Sequence, residues 1–248
     1  MQELKTAVIT CPRKGASYLP STLKDMAEQD PGAAGRPCGV FSDSLVLPEG
    51  LPPWLNHVEC SDQDRLDRIR TEELFGTLNL QRALRWAANN SEFVCVLEDD
   101  VKFAGDWQSR GLAICRRLVE RKQPWLLTLQ HFYPHEGHFD AVEGCDGQIM
   151  KWNEQGPLWG SQGYMMLAST ARGFADLFEL KFTLPAPERR WWMMDEGIWR
   201  MCAVEHRYGI YAPNPCLIQH VGDVSSLYEW ETVRPGRMCL HFDQASRK

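Results

Sequence analysis

The stretch Phe93-Val-Cys-Val-Leu-Glu98-Asp99-Asp100-Val101 decides how this chain is read. A short, valine-rich apolar run is the pattern of a strand buried on both faces of a parallel sheet. Three consecutive carboxylates stand at its C-terminal end. In open α/β sheets, ligands bind in the crevice outside the carboxyl ends of the strands. Adjacent anions repel one another unless a cation or strong donors sit among them. Hard oxygen ligands of this kind suit Mg²⁺ or Mn²⁺, shared with the phosphates of a nucleotide. A solvated acidic turn has the same local sequence, so the rest of the chain must decide.

Upstream, Thr6-Ala-Val-Ile-Thr-Cys11 reads as a first strand, followed by the basic turn Pro12-Arg13-Lys14-Gly15. A helix is expected from near Pro20, with Leu19, Leu23 and Met26 at helical spacing. Strand, Arg-bearing turn and helix can hold a diphosphate, because helix N-termini and guanidinium groups favour anions. Cys38-Gly-Val-Phe-Ser-Asp43 reads as a second strand ending in a carboxylate, and Asp64 to Arg70 as a solvated helix. A cleaner helix runs from about Thr77 to Asn89, with Leu80, Ala83, Leu84 and Ala87 as its buried stripe and Asn79 and Arg82 on another side. Strands alternating with helices of this length argue for a parallel-sheet α/β fold.

Downstream, Trp107, Ile114 and Leu118 mark a helix that ends among Arg116, Arg117, Arg121 and Lys122. Trp125-Leu-Leu-Thr-Leu-Gln130 is a strand, and His131 to Gly147 reads as a loop, a lid or an acceptor-binding segment. Its histidines, His131, His135 and His138, lack a zinc-motif spacing. Leu158 to Leu167 reads as a bend leading into a strand, with Ser169 or Thr170 capping the next helix. Asp195-Glu196 is a carboxylate pair among Trp191, Trp192 and Trp199, a setting that can tune a pKa, although acids also simply complement a helix N-terminus. Pro215 to His220 delivers a histidine to a strand end, before Val221-Gly-Asp-Val-Ser-Ser226. The tail from Arg234 to Lys248 is basic and reads as a closing flap.

With 248 residues, 44% of them hydrophobic, the chain can bury a sizeable core as one large domain. A net charge of −6 gives no general attraction to nucleic acid or anionic membrane. No apolar run approaches the length of a membrane span, and Met1-Gln-Glu-Leu-Lys-Thr6 lacks the apolar core of a signal peptide. Nine cysteines without a CxxC pair read as reduced thiols, so a cytoplasmic location is expected.

In this order the motifs resemble those of GT-A fold glycosyltransferases, across roughly residues 5 to 227. The likeness lies in Thr10-x-Pro12-Arg13, Asp43 after the second strand, and Asn79 and Arg82 on the helix before the acidic motif. It continues through Leu97-Glu-Asp-Asp-Val101, Gly160-Ser-Gln-Gly-Tyr164, Asp195-Glu196 and Gln219-His-Val-Gly-x-x-Ser-Ser226. The resemblance implies a mostly parallel central sheet flanked by helices, in a single GT-A-like domain over residues 1–248. Residues 1–103 would form the nucleotide-binding half, 104–227 the acceptor and catalytic half, and 228–248 a tail.

The resemblance also implies transfer of a sugar from a nucleotide-sugar donor, with UDP favoured, to an acceptor hydroxyl. Asp100 would bind Mn²⁺ or Mg²⁺, and His220 would be a further ligand or a donor to the diphosphate. Asp99 would contact the ribose, and Glu98 the donor sugar or ribose. Arg13 and Arg82 would pair with phosphate or neighbouring carboxylates, and Thr10 and Asp43 would help hold the nucleoside. Pro12, Gly160, Ser161 and Gln162 would complete the donor site. Asp195 or Glu196 would be the general base, with inversion at the anomeric carbon and Asp195 favoured. The acceptor would be a saccharide precursor or a hydroxymethylated base in viral DNA, where Arg189-Arg190-Trp191-Trp192 offer charge and stacking faces. Two other readings stay open: a nucleotidyltransferase or pyrophosphorylase on a related sheet, and a non-catalytic nucleotide-sugar-binding protein.

Overall fold

The computed structural model describes residues 2–11, 17–47, 49–72, 76–130, 138–153, 162–182, 207–221, 242–243 and 246–247. Four strands form a parallel block: β1 (Gln2–Thr10), β2 (Cys38–Ser42), β3 (His57–Cys60) and β4 (Ser91–Glu98). They lie in the order β3-β2-β1-β4, with Thr10 opposite Ser42 and Ile9 opposite Glu98. The chain therefore leaves β1 for β2 on one side and returns as β4 on the other. That reversal of strand order is where a crevice opens at the carboxyl ends of the strands.

Alternation along these strands sorts the core into two faces. Ala7, Ile9, Val94 and Val96 face helices α3 (Thr77–Ala88) and α5 (Ala168–Phe182), meeting Leu80, Leu84, Phe174 and Phe178. Val8, Cys95 and Leu97 face α1 (Leu19–Gln29) and α4 (Trp107–Val119), meeting Leu23, Met26, Leu112 and Cys115. Full burial of each such aliphatic or aromatic side chain stabilises by about 1.5–3 kcal/mol. Gly111 lets α4 come close to the sheet, since a Cβ there would stand 2.5 Å from the sulfur of Met165.

The sheet is mixed beyond the parallel block. β6 (Trp125–Thr128) and β10 (Gly209–Pro213) pair in parallel, but β9 (Gly163–Leu167) enters antiparallel between β4 and β6. The hairpin of β7 (Phe139–Ala141) and β8 (Ile149–Trp152) extends the far edge antiparallel to β10. Part of the segment expected to be a loop is thus strand. Ser169 and Thr170 lie inside the first turn of α5 rather than capping it. α2 (Gln63–Glu72) keeps Asp64 and Asp67 exposed and turns Ile69 inward, close to the solvated helix expected there. A separate two-stranded ribbon joins β5 (Val101–Phe103) to β11 (Ile218–His220). No disulfide joins the described cysteines. Among the described residues, no helix is long and apolar enough to cross a membrane.

Candidate active site

Burial of a strand end leaves carbonyls and carboxylates that need donors, and the ends of β1, β2 and β4 find theirs in neighbouring side chains. Thr10, the last residue of β1, donates its hydroxyl to Oδ2 of Asp99, just past β4. Thr22 of α1 donates to the Asp99 carbonyl at 2.6 Å and to that of Val101 at 3.2 Å. Asn79, expected on a side of α3 away from the apolar stripe, is fully buried at 0% exposure. It faces the strand ends, where its amide donates to the carbonyls of Thr10 at 3.3 Å and Phe41 at 3.2 Å. These bonds tie β1, β2 and β4 together at the switch point.

The second half of the acidic motif meets a residue from late in the chain. In the ribbon His220 lies opposite Val101, and the Val221 amide donates to the Asp100 carbonyl at 2.8 Å. This register brings Nε2 of His220 to 3.0 Å from Oδ2 of Asp100, with both side chains 5% exposed. The spacing suits two ligands of one octahedral ion, because donors about 2.0–2.1 Å from such an ion stand about 3 Å apart in cis. The carboxylate suits Mn²⁺ or Mg²⁺, and the imidazole favours the softer Mn²⁺ of the two. Among the described residues, no group of three or more His, Cys, Asp and Glu side chains forms a metal site. Two protein ligands match an ion that keeps its other positions for phosphate and water.

On the other side of β1 stands a charged network that includes a residue the sequence reading missed. Arg82 on α3 contacts Glu59 of β3 at 3.0 Å and approaches Oδ1 of Asp43 at 4.0 Å. It also donates to the Ser42 carbonyl at 3.4 Å and to the side chain of Asn79. Burial pushes the Asp43 carboxyl up to about 6, against the opposing pull of the Cys11 thiol, the Gly76 amide and Arg82. The Gly76 amide donates to Oδ2 of Asp43 at 3.2 Å, whereas Oδ1 has no hydrogen-bond partner. Burial also raises Glu59, but Arg82, His57 and Arg65 outweigh it and hold its carboxyl below the ordinary range. The described ion pairs of Arg82 are with the carboxylates of Asp43 and Glu59.

A third polar group lies across β4, β9 and β6. The Glu98 amide donates to the Gln162 carbonyl at 2.9 Å, so the start of β9 meets the end of β4. Strand alternation puts Glu98 on the face of Val94 and Val96. Gln130, just past β6, donates its side-chain amide to that of Gln162 at 2.6 Å, and both are buried. In the sequence Gln130 reads only as the end of a strand. Its role depends on β9 lying beside β6, which spacing does not encode.

The structure thus brings Thr10, Asp43, Asn79, Arg82, Glu98, Asp99, Asp100, Gln162 and His220 to the same sheet edge or the ribbon beside it. Pro12, Arg13, Gly160, Ser161, Asp195 and Glu196 lie outside the described residues. In comparisons with known proteins, no family model and no curated protein matches this chain.

Proposed function

We propose that this chain is a metal-dependent glycosyltransferase of the GT-A type. It would move a sugar from a nucleotide-sugar donor, a UDP-sugar first, to an acceptor hydroxyl with inversion at the anomeric carbon. The observation that carries this reading is the 3.0 Å apposition of Asp100 and His220 beside the Thr10–Asp99 pair, at the carboxyl edge where strand order reverses. A nucleoside diphosphate needs a cation at its phosphates and polar groups at its base and ribose. Asp100 and His220 offer the first. Thr10, Asp43 and Asp99 offer the second.

Asp100 and His220 would hold Mn²⁺ or Mg²⁺, which would offset charge on the departing diphosphate. The chain's own groups do the rest. Asp99, held by Thr10 and Thr22, presents a fixed carboxyl to the ribose. Arg82 is clamped between Glu59 and Asp43 and keeps the nucleoside end of the crevice cationic as well as acidic. Glu98 and Gln162 face the donor sugar. Asp195 takes the proton from the acceptor hydroxyl, with Glu196 as the competing base. The acceptor is a saccharide precursor or a hydroxymethylated base in DNA.

A thermal-shift comparison tests this reading, since a ligand that binds the native state raises its apparent stability. UDP with Mn²⁺ should raise Tm more than either alone, and a UDP-sugar should be hydrolysed or transferred in an EDTA-sensitive manner. Stabilisation by a nucleoside triphosphate without response to UDP would instead favour a nucleotidyltransferase. Full activity in EDTA would remove the metal from the proposal.

A further inference from the structure

The ribbon that joins Asp100 to His220 is short, and a three-residue strand with one bare edge is poorly held by its own backbone. Its inner edge pairs with β11: the Val221 amide donates to the Asp100 carbonyl at 2.8 Å and the Ala104 amide to the Leu217 carbonyl at 2.9 Å. Its outer edge is capped by side chains. Thr22 takes the carbonyls of Asp99 and Val101. Asp25, one turn further along α1, accepts the Phe103 amide at 2.8 Å. The Phe103 carbonyl accepts from Arg247 at 3.2 Å, and the same guanidinium binds Asp25 at 2.5 Å. One residue near the C-terminus therefore closes a ring over the outer edge of β5.

The neighbours of Arg247 are held as closely. Ser246 accepts the Gly105 amide at 2.9 Å. A Cβ on Gly105 would stand 1.9 Å from the Ser246 carbonyl oxygen, so only glycine admits the tail here. Asp243 binds Arg110 of α4 at 2.8 Å, and Phe242 bridges to Cys216, two residues before β11. These terminal residues contact the leads of both ribbon strands. They grip the support of the acidic motif, where a closing flap was expected.

We propose that Arg247, acting with Asp25, is a positioning residue that fixes the β5–β11 ribbon and thereby the apposition of Asp100 and His220. The consequence for metal binding rests on the function proposed above, whereas the consequence for the ribbon does not. Two measurements on the full chain separate these parts: amide hydrogen exchange by NMR, and Mn²⁺ binding in the presence of UDP by electron paramagnetic resonance. Loss of a hydrogen bond to a charged group should open the ribbon locally. Arg247→Ala should speed exchange at Val221 and Ala104 by about ten-fold or more relative to Val8 and Val96 in the central strands. It should weaken Mn²⁺ binding by about 10–100-fold, the scale seen when the supporting shell of a metal is disturbed. Arg247→Lys, which keeps the charge beside Asp25 but not the planar fork, should fall between.

Unchanged protection at Val221 and Ala104, or an equal rise at Val8 and Val96, would overturn the positioning role. If the wild-type chain takes up no Mn²⁺ with UDP, the metal reading falls and the exchange measurement still decides the role of Arg247. Should Arg247→Ala fold poorly, Arg247→Lys and Asp25→Asn carry the same comparison.

Discussion

His220 and Asp100 are 120 positions apart in the chain, yet their side chains meet at 3.0 Å. The register of a three-residue strand pair makes that contact, since His220 lies opposite Val101 in the ribbon. If the pair holds a metal, His220→Ala should weaken Mn²⁺ affinity by about 10–100-fold, and Asp100→Ala should abolish metal-dependent UDP binding in a folded protein. Calorimetric titration with Mn²⁺ and UDP reads both effects. A lower Tm with unchanged metal affinity would make His220 a purely structural histidine.

Thr10 supplies the donor that Asp99 needs in a buried crevice. Thr10→Val removes that donor at nearly constant volume and should cost about 1–3 kcal/mol in urea denaturation, because a buried acceptor loses its partner. Thr10→Ser keeps the hydroxyl and should stay near wild type. Equal midpoints for Val and Ser would show that the hydroxyl contributes nothing there.

Asp43 makes stability depend on pH with a definite sign. Its carboxyl titrates at about 6 in the fold, raised by burial from an ordinary 3.8. Between those values the folded chain keeps a proton that the unfolded chain has lost, so stability falls as pH rises from 3.8 to about 6 and remains lower above that. A shift of this size corresponds to at most about 3 kcal/mol. Asp43→Asn should flatten this part of the stability–pH curve measured by chemical denaturation. Superimposable wild-type and variant profiles would remove Asp43 as its source.

In the proposed reaction Asp195 and Glu196 compete for the role of base. Adjacent helical residues point about 100° apart, so on a helix only one can face the acceptor. Helical spacing would put Trp192 and Trp199 on the face of Asp195, and Glu196 on that of Arg200 at i, i+4. Asp195→Asn should therefore bind donor normally and lose transfer by about two or more orders of magnitude. If Glu196→Gln alone gives that signature in a transfer assay, the roles are reversed.

The sequence signals that read well were those of complete burial. Phe93 to Leu97 and Cys38 to Phe41 are apolar throughout, and Asp43, Asp99 and Asp100 follow them at the edge where ligands bind. β3 was missed because its four residues are only partly buried or exposed, and an edge strand of that kind carries no apolar run. The reversed direction of β9 was missed for another reason. An apolar strand reads the same in either orientation, so Gly163 to Leu167 looked compatible with a parallel sheet. Glu59 and Gln130 followed these errors, since each reaches Arg82 or Gln162 only through a neighbouring strand. The apposition of Asp100 and His220 lay between: each residue stood out alone, but their pairing depends on the ribbon.

That ribbon also bears on how the protein is made. β1 to β4 and the acidic motif precede α5 and the ribbon strand β11 in the chain. Domains begin to form as the chain emerges, and contacts of long sequence separation close last. The histidine partner is made only at residue 220, and the arginine that closes the ring around Phe103 only at residue 247. A chain cut short of His220 would thus display the carboxylates without their counterpart. Competence at this site would then require the chain to have been made through both His220 and Arg247.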